Sequence, residues 1–202
     1  MLIDLDPPFV LIKPAIGEEE FYANEGEDGD WEYLDGRLVM SPASDLHEAL
    51  FGFLLFLLQG FLDARGGAVV RGSRYPMRLD DRWSPEPDLM VIRDENRRRM
   101  TSRRLEGPAD WVIEIASEAD PKFDLREKLP RYREAGIEEI WLLDPFDSTV
   151  RVESLVQGSY KSSTASSGRI TSAVVSGFWI DLDWLWQREL PSVNQCLREI
   201  LG

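Results

Sequence analysis

The sequence contains very little cysteine and histidine, and its most apolar stretch is short. Cys196 is the one cysteine in 202 residues, which excludes an intrachain disulfide and gives no indication of an oxidising compartment. Residues 51–62 form the most apolar stretch, which Gly52, Gln59 and Gly60 interrupt, whereas a bilayer span needs about 20 residues. The opening residues combine acids and prolines around a short apolar run, unlike a secretory signal. We therefore expect a buried helix at residues 51–62 and a cytoplasmic protein.

Positive charge is also scarce, because the chain has a formal net charge of −14. Simple nucleic-acid binding usually requires a basic surface. Residues 1–30 carry nine acids against one lysine, a net of −8, so the remainder carries −6. Between residues 93 and 104 lies a basic segment, which predicts either a contact with nucleic-acid phosphates or a solvated loop whose arginines balance nearby acids. Its candidate contact residues are Arg97, Arg98, Arg99, Arg103 and Arg104.

Turn and cap residues predict the elements of the first half of the chain. The segment WEYLDGRLVM, residues 31–40, predicts a hairpin that turns at Asp35-Gly36. A helix is expected from Ser44 or Asp45 to about Arg65, because capping residues precede it and glycines follow it. Residues 1–30 are expected to form an irregular acidic arm, with a short helical segment around residues 18–23. One domain over residues 1–202 is consistent with the length.

The second half of the chain predicts a mixed sheet. Residues 69–79 and 87–93 predict an antiparallel hairpin, and residues 111–117 and 139–145 predict two buried strands. A helix over about 123–135 joins these two strands, which requires a crossover and a parallel pair. Pro130 either kinks this helix or marks where its regular part begins. A turn is expected at residues 162–168 and a short helix at 193–201. The fold class is therefore α/β or α+β, with helices packed on a mixed sheet.

Two acids lie in the apolar strands of this sheet. Asp88 opens one strand and Glu114 interrupts the next, where burial of an unpaired carboxylate is unfavourable. If the two acids face each other, a divalent cation between them relieves their repulsion, and Mg²⁺ prefers such oxygen ligands. The alternative is a salt bridge from each acid to an arginine. The sequence leaves both interpretations open.

Lys128 lies fourteen residues after Glu114, on the predicted helix. Helical spacing places it on one face with Asp124 and Tyr132, while Leu125, Leu129 and Tyr132 form an apolar stripe towards the sheet. There the lysine could reach the carboxylates and stabilise charge on a phosphate. The alternative is an exposed i,i+4 ion pair with Asp124.

These residues belong to segments that resemble a known family. The segments are WEYLDGRLVMSP (31–42), EPDLMVI (86–92), the long block at 111–145 and GFWIDL (177–182). Together they resemble the Uma-two family of restriction-endonuclease-like proteins, a branch of the PD-(D/E)XK nuclease superfamily. The resemblance covers most of the chain from Trp31 onward and implies a restriction-endonuclease-like core.

The resemblance also implies roles for individual residues. Asp88 matches the first acid of the superfamily motif and Glu114 the second, as metal ligands and catalytic residues. The usual lysine two residues later is absent, because Ala116 stands there, and Lys128 takes its place in the family pattern. Glu32 is expected as an accessory metal ligand or a contact of metal-bound water, and His47 as a phosphate contact or proton shuttle. The alternative for His47 is a histidine at a helix start that is hydrogen-bonded to the backbone.

The favoured interpretation is a metal-dependent endonuclease that hydrolyses phosphodiester bonds of nucleic acid, DNA before RNA, with Mg²⁺ or a substituting Mn²⁺. One alternative is a non-catalytic module that binds nucleic acid or protein on a nuclease fold. A second alternative is a hydrolase of small phosphorylated substrates. A homodimer is expected because two-fold oligomers are common and two sites can cut both strands of a duplex.

Overall fold

A computed structural model describes residues 8–14, 17–23, 31–72 and 74–202. The described helices are α1 (Glu18–Ala23), α2 (Asp45–Arg65), α3 (Leu129–Glu134) and α4 (Val193–Leu201). The described strands are β1 (Leu11–Lys13), β2 (Glu32–Leu34), β3 (Arg37–Met40), β4 (Ala68–Gly72), β5 (Met77–Arg78), β6 (Trp83–Ser84), β7 (Leu89–Arg93), β8 (Leu105–Glu106), β9 (Trp111–Ile115), β10 (Glu139–Asp144), β11 (Thr149–Val156), β12 (Ser159–Ala165), β13 (Arg169–Thr171) and β14 (Trp179–Asp181).

The central sheet has the strand order β12-β11-β10-β9-β7-β4. Strands β9 and β10 pair in parallel, and the other neighbours are antiparallel. The chain crosses from β9 to β10 through α3, as a parallel pair requires. This arrangement confirms the predicted α/β architecture with a mixed sheet. The predicted pairing of residues 69–79 with 87–93 is correct for β4 and β7, but β5 instead pairs with β8.

The two faces of the sheet are covered by different elements. Trp111 and Ile113 of β9 pack on the side of α2 and α4, whereas Val112 packs with Leu129 and Tyr132 at α3. Because side chains alternate along a strand, Glu114 lies on the α3 face with Val112. The acid is thus directed towards the crossover helix.

Helix α2 is long and apolar enough, by length and composition alone, to cross a membrane. The apolar stretch that the sequence analysis placed at residues 51–62 is therefore part of a longer apolar helix, Asp45–Arg65. One side of α2 packs into the main core through Leu50, Leu54 and Leu57, as expected for a buried helix.

A smaller sheet with the order β1-β3-β2-β6 lies beside the central sheet. Its β2–β3 hairpin turns at Asp35 and Gly36, whose φ values of 52° and 72° fit the predicted tight turn. Part of the predicted acidic arm, residues 1–7, 15–16 and 24–30, lies outside the described residues. Within the described part of the arm, β1 pairs with β3 and α1 forms a short helix, so these residues are regular.

The predicted helix over 123–135 is divided in two. Residues Asp124–Lys128 form a π-helical turn, and α3 begins at Leu129 with Pro130 in its first turn. Proline lacks an N–H group, which it does not need at a helix start, so the second interpretation of Pro130 is correct. Leu125 is 38% exposed and does not join the apolar stripe. The turn predicted at 162–168 was placed too early, because β12 continues to Ala165.

Candidate active site

Asp88 and Glu114 lie next to each other at one end of the β7–β9 pair. Leu89 of β7 is paired with Ile113 of β9, and this register brings the preceding Asp88 beside Glu114. The backbone N–H of Asp88 lies 3.4 Å from Oε2 of Glu114, and the N–H of Ile115 donates to Oδ2 of Asp88 at 2.7 Å. These backbone contacts hold the two carboxylates side by side, which is the first of the two arrangements that the sequence left open.

Lys128 reaches Glu114 from the π-helical turn. Its Nζ atom lies 3.2 Å from Oε1 of Glu114, 3.2 Å from Oδ1 of Asp124 and 2.9 Å from Oε1 of Glu32. Lys128 is only 5% exposed. The pair with Asp124 thus exists, but it is buried and forms part of a larger cluster. The alternative of an exposed surface pair is wrong.

Further hydrogen bonds hold the carboxylates that contact Lys128. Tyr132, one helical turn after Lys128, donates to Oε1 of Glu114 at 2.5 Å. The backbone N–H of Glu86 donates to Oε1 of Glu32 at 2.9 Å. Glu32 therefore uses the same oxygen for Lys128 and for the backbone of Glu86.

His47 approaches Asp88 from the first turn of α2. Its Nε2 atom lies 3.2 Å from Oδ1 of Asp88, and its Nδ1 atom lies 3.5 Å from Oε1 of Glu48. Ser44 caps the helix by accepting a hydrogen bond from the backbone N–H of His47 at 3.2 Å. The cap therefore sets the turn that presents the imidazole to Asp88.

The cluster carries more negative than positive charge. Glu32, Asp88, Glu114 and Asp124 bring four carboxylates against one ammonium, a formal charge of −3 before His47 is counted. Burial raises the pKa of Glu114 well above its ordinary value, although Lys128 opposes this shift. Burial also raises the pKa of Glu32 and of Asp124. The cluster therefore has too little positive charge to balance its four carboxylates.

Burial has the opposite effect on the pKa values of the two basic side chains, Lys128 and His47, because it disfavours their protonated forms. Burial disfavours charged Lys128, but Asp124, Glu114 and Glu32 outweigh it and raise the pKa of the lysine well above its ordinary value. Burial likewise lowers the pKa of His47, yet the hydrogen bond to Asp88 and its charge, together with Glu48, leave that pKa raised. The surrounding carboxylates therefore favour the protonated form of both side chains.

The cluster opens into a pocket of about 430 Å³. Its described lining includes Glu32, His47, Arg74, Glu86, Asp88, Glu114, Ile115, Ser117, Asp124 and Lys128. A second pocket of about 320 Å³ shares Glu114 and Asp124 with the first and extends over β10 and β11. The acids thus border a cleft with room for a substrate.

The arginine segment lies elsewhere. Strand β7 runs from the Asp88 end to Arg93, and at about 3.4 Å per residue it separates the two ends by roughly 15 Å. Arg97 pairs with Asp94, Arg104 pairs with Glu106, and Arg99 donates to the carbonyl of Pro108. Arg98 and Arg103 are exposed. None of these arginines is among the described residues that line the pocket. Their contact with nucleic acid stays a prediction, and at this position it would be remote from the acids.

Comparison with known proteins assigns the family. The family model Uma2, described as "Putative restriction endonuclease", matches residues 18–183, which is most of the chain. The protein belongs to the Uma2 family. The resemblance found in the sequence is thereby confirmed, and the family supports a nuclease-like function.

The fold of this Uma2 protein is also similar to a solved structure. The crystal structure of "a putative nuclease belonging to DUF820" from Anabaena variabilis ATCC 29413 matches with a TM-score of 0.71 and 18% sequence identity. The match covers 85% of this chain and 97% of the other. At this identity the likeness concerns the fold. A search of curated proteins finds no match.

The donor set of the Uma2 site fits a magnesium ion. Oδ1 of Asp88 and Oε2 of Glu114 are hard oxygen donors at the acidic end of the pocket, where cationic charge is lacking. Within the described residues, no group of three or more His, Cys, Asp or Glu side chains is arranged to hold a metal alone. Mg²⁺ commonly uses one or two carboxylates and completes its shell with water and substrate phosphate, so two acids suffice.

Two residues of the cluster had not been assigned to the site from the sequence. Asp124 was considered only as a surface partner of Lys128, and Tyr132 only as a core residue. The i,i+4 series Asp124, Lys128 and Tyr132 was visible in the sequence, and Lys128 and Tyr132 of this series contact the buried acid Glu114. Arg74 and Glu86 at the pocket were not singled out either, because nothing local marks them.

Proposed function

We propose that this Uma2 protein is a metal-dependent endonuclease that hydrolyses phosphodiester bonds of nucleic acid, with DNA as the substrate. The observation that carries the proposal is the convergence of Asp88, Glu114 and Lys128 at one end of a sheet, beside an open pocket. Isolated ion pairs do not need such a cleft. Acids that lack cationic charge at the floor of a pocket are typical of a site that binds a cation and an anionic substrate together.

The reaction assigned to this site is in-line attack of water on phosphorus, with cleavage of the bond to the leaving oxygen, which then takes up a proton. Asp88 and Glu114 would hold Mg²⁺, or Mn²⁺ in its place. When bound, the ion supplies Lewis acidity at a phosphate oxygen and lowers the pKa of water. Lys128 adds positive charge where negative charge develops on the phosphate.

Other side chains of the cluster keep these groups in place. Tyr132 fixes Oε1 of Glu114, which leaves Oε2 on the side of Asp88. His47 lines the pocket and contacts Oδ1 of Asp88 through Nε2, so its role in this proposal is to orient that carboxylate. Glu32, considered as a metal ligand from the sequence, contacts Lys128 and the backbone of Glu86, which favours a role in holding the lysine.

The proposal is tested with purified protein, Mg²⁺ or Mn²⁺, and a panel of duplex DNA, single-stranded DNA and RNA. We expect cleavage of DNA that requires the metal, and a loss of about 100-fold or more in Asp88→Asn and in Glu114→Gln. The matched control is Asp63→Asn, because Asp63 is an exposed acid of α2, and it should keep full activity. Cleavage that survives in both site variants would refute the proposed site.

A specific observation favours the alternative of a non-catalytic binding module. Lys128 contacts three carboxylates, so its three N–H groups already have acceptors. A phosphate must compete with them. Binding of DNA or of a protein partner without turnover under any metal would support this alternative. Turnover of a generic phosphate monoester, without cleavage of polymers, would instead support the small-substrate hydrolase.

A further inference from the structure

Glu114 directs its two carboxylate oxygens to two different positions. Oε1 accepts from Tyr132 and lies 3.2 Å from the ammonium of Lys128, whereas Oε2 lies beside the backbone N–H of Asp88. Sites that use two metal ions commonly place them about 3.5–4 Å apart, a spacing that one carboxylate can bridge with one oxygen to each ion. In Glu114, the position beside Oε1, where one of two such metal ions would lie, is already occupied by the ammonium of Lys128.

The ammonium is held at that position from three sides. Glu32 and Asp124 contact Nζ of Lys128 in addition to Glu114, and the lysine is 5% exposed. A second divalent ion at Oε1 would have to displace a buried ammonium that already has three carboxylate partners. Displacement would also leave an ammonium in a buried position without its carboxylates, which is strongly unfavourable.

Resting on the proposed function, we infer that Lys128 takes the place of a second metal ion, so that the site binds one divalent cation per chain. Glu32 and Asp124 are then positioning residues that act through Lys128. The single ion belongs on the Oε2 side of Glu114, with Asp88. Lys128 thus has two roles in the site, because it stabilises charge on the phosphate and also occupies the position of a second metal ion.

Titration with Mn²⁺, followed by calorimetry and by electron paramagnetic resonance, tests the stoichiometry. We expect one ion per chain with the spectrum of a magnetically isolated Mn²⁺. Two ions per chain with an exchange-coupled spectrum would overturn the inference and leave the proposed function standing. No binding at all would refute the proposed function and the inference with it. This measurement uses the unmodified protein, so it decides the question even if a variant fails to fold.

The variant Lys128→Met tests whether the ammonium competes with the metal. Removal of a like charge next to the ion should tighten Mn²⁺ binding by about tenfold or admit a second ion. The matched control is Lys161→Met, because Lys161 is an exposed lysine of β12, and its Mn²⁺ affinity should not change. Unchanged or weaker Mn²⁺ binding in a folded Lys128→Met protein would contradict the inference.

The positioning role of Asp124 has its own spectroscopic test. A buried ammonium with three carboxylate partners exchanges its protons slowly, so Lys128 should give a protected NH₃⁺ signal in nitrogen–proton correlation spectra. We expect this signal to vanish in Lys128→Met and to be lost or strongly broadened in Asp124→Asn. An unchanged signal in Asp124→Asn would mean that Asp124 does not hold the lysine.

Discussion

At the scale of single residues, the phenol of Tyr132 is the neutral donor that fixes Glu114. Its hydrogen bond of 2.5 Å is buried and reaches a carboxylate, and hydrogen bonds to charged groups contribute about 1.5–3 kcal/mol. Tyr132→Phe should lower the free energy of unfolding by about that amount in urea titrations. It should also reduce metal-dependent cleavage, because Glu114 is held less firmly.

Tyr160→Phe is the control for Tyr132→Phe. Tyr160 donates to the neutral carbonyl of Ile137 at 2.7 Å, with the backbone carbonyl of Tyr132 at 3.5 Å, so its partners are neutral backbone groups. Its removal should lower stability by about 0.5–1.5 kcal/mol and leave cleavage unchanged. Equal stability losses and equal activities in the two variants would show that the contact with Glu114 has no special role.

Glu153 supplies a test of pH dependence away from the active site. It is fully buried on β11 and accepts from Arg133 at 2.5 Å, Arg151 at 2.6 Å and Ser162 at 2.7 Å. Burial raises the pKa of Glu153, but these partners outweigh it, so the pKa in the folded protein lies below the ordinary 4.5. Ionised Glu153 therefore stabilises the fold fully at pH values above the ordinary 4.5. This stabilisation is lost as the pH falls through the lower pKa of the folded protein.

The corresponding prediction compares wild type with Glu153→Gln. The stability difference between the two proteins, measured in urea, should be largest at neutral pH and should shrink as the pH falls below about 4.5. Because Glu153→Gln lacks the titrating carboxyl group, the difference between the two proteins gives the contribution of Glu153 to the loss of stability in acid. A difference that stays constant into acid would contradict the lowered pKa.

At the scale of elements, the N-terminal cap of α2 connects helix stability with the site. Ser44 accepts from the N–H of His47, the residue that contacts Asp88. Ser44→Ala should lower the free energy of unfolding by about 1 kcal/mol, whereas Ser44→Asp should retain most of it because Asp is also a good cap. Thermal unfolding of the three proteins measures this, and equal midpoints would show that the cap contributes nothing.

The elements also show how much of the fold follows from local sequence. The turn at Asp35-Gly36 and the limits of α2 depend on neighbouring residues, and both were predicted correctly. The π-helical turn at Asp124–Lys128 was not predicted. Pro130 marked the start of the regular helix, but the widened turn before it carries Lys128 to Glu114 and Glu32, which come from distant strands that local sequence does not place.

The site was predictable to a similar extent. Asp88 and Glu114 stood out because carboxylates in apolar strands need a partner, but whether the two acids meet was left open by the sequence. The place of Glu32 depends on how the small β1-β3-β2-β6 sheet docks beside the central sheet, which local sequence does not reveal. Its involvement was suggested by the family resemblance alone, and its contact with Lys128 was not anticipated.

At the scale of the whole molecule, strong negative charge and a nuclease-like family must be reconciled. A net charge of −14 repels nucleic acid at long range, so an acidic nuclease needs a local source of positive charge. A bound divalent ion and Lys128 would supply it at the pocket. We therefore expect cleavage to increase with moderate salt, which screens the general repulsion, before higher salt weakens binding.

A crystal soaked in Mn²⁺ would show whether Asp88 and Glu114 hold a divalent cation beside Lys128, as we propose. We predict one anomalous peak within coordination distance of Oδ1 of Asp88 and Oε2 of Glu114, with Lys128 still in contact with Oε1. Mn²⁺ bound only elsewhere on the acidic surface, with no peak between these two carboxylates, would contradict the account.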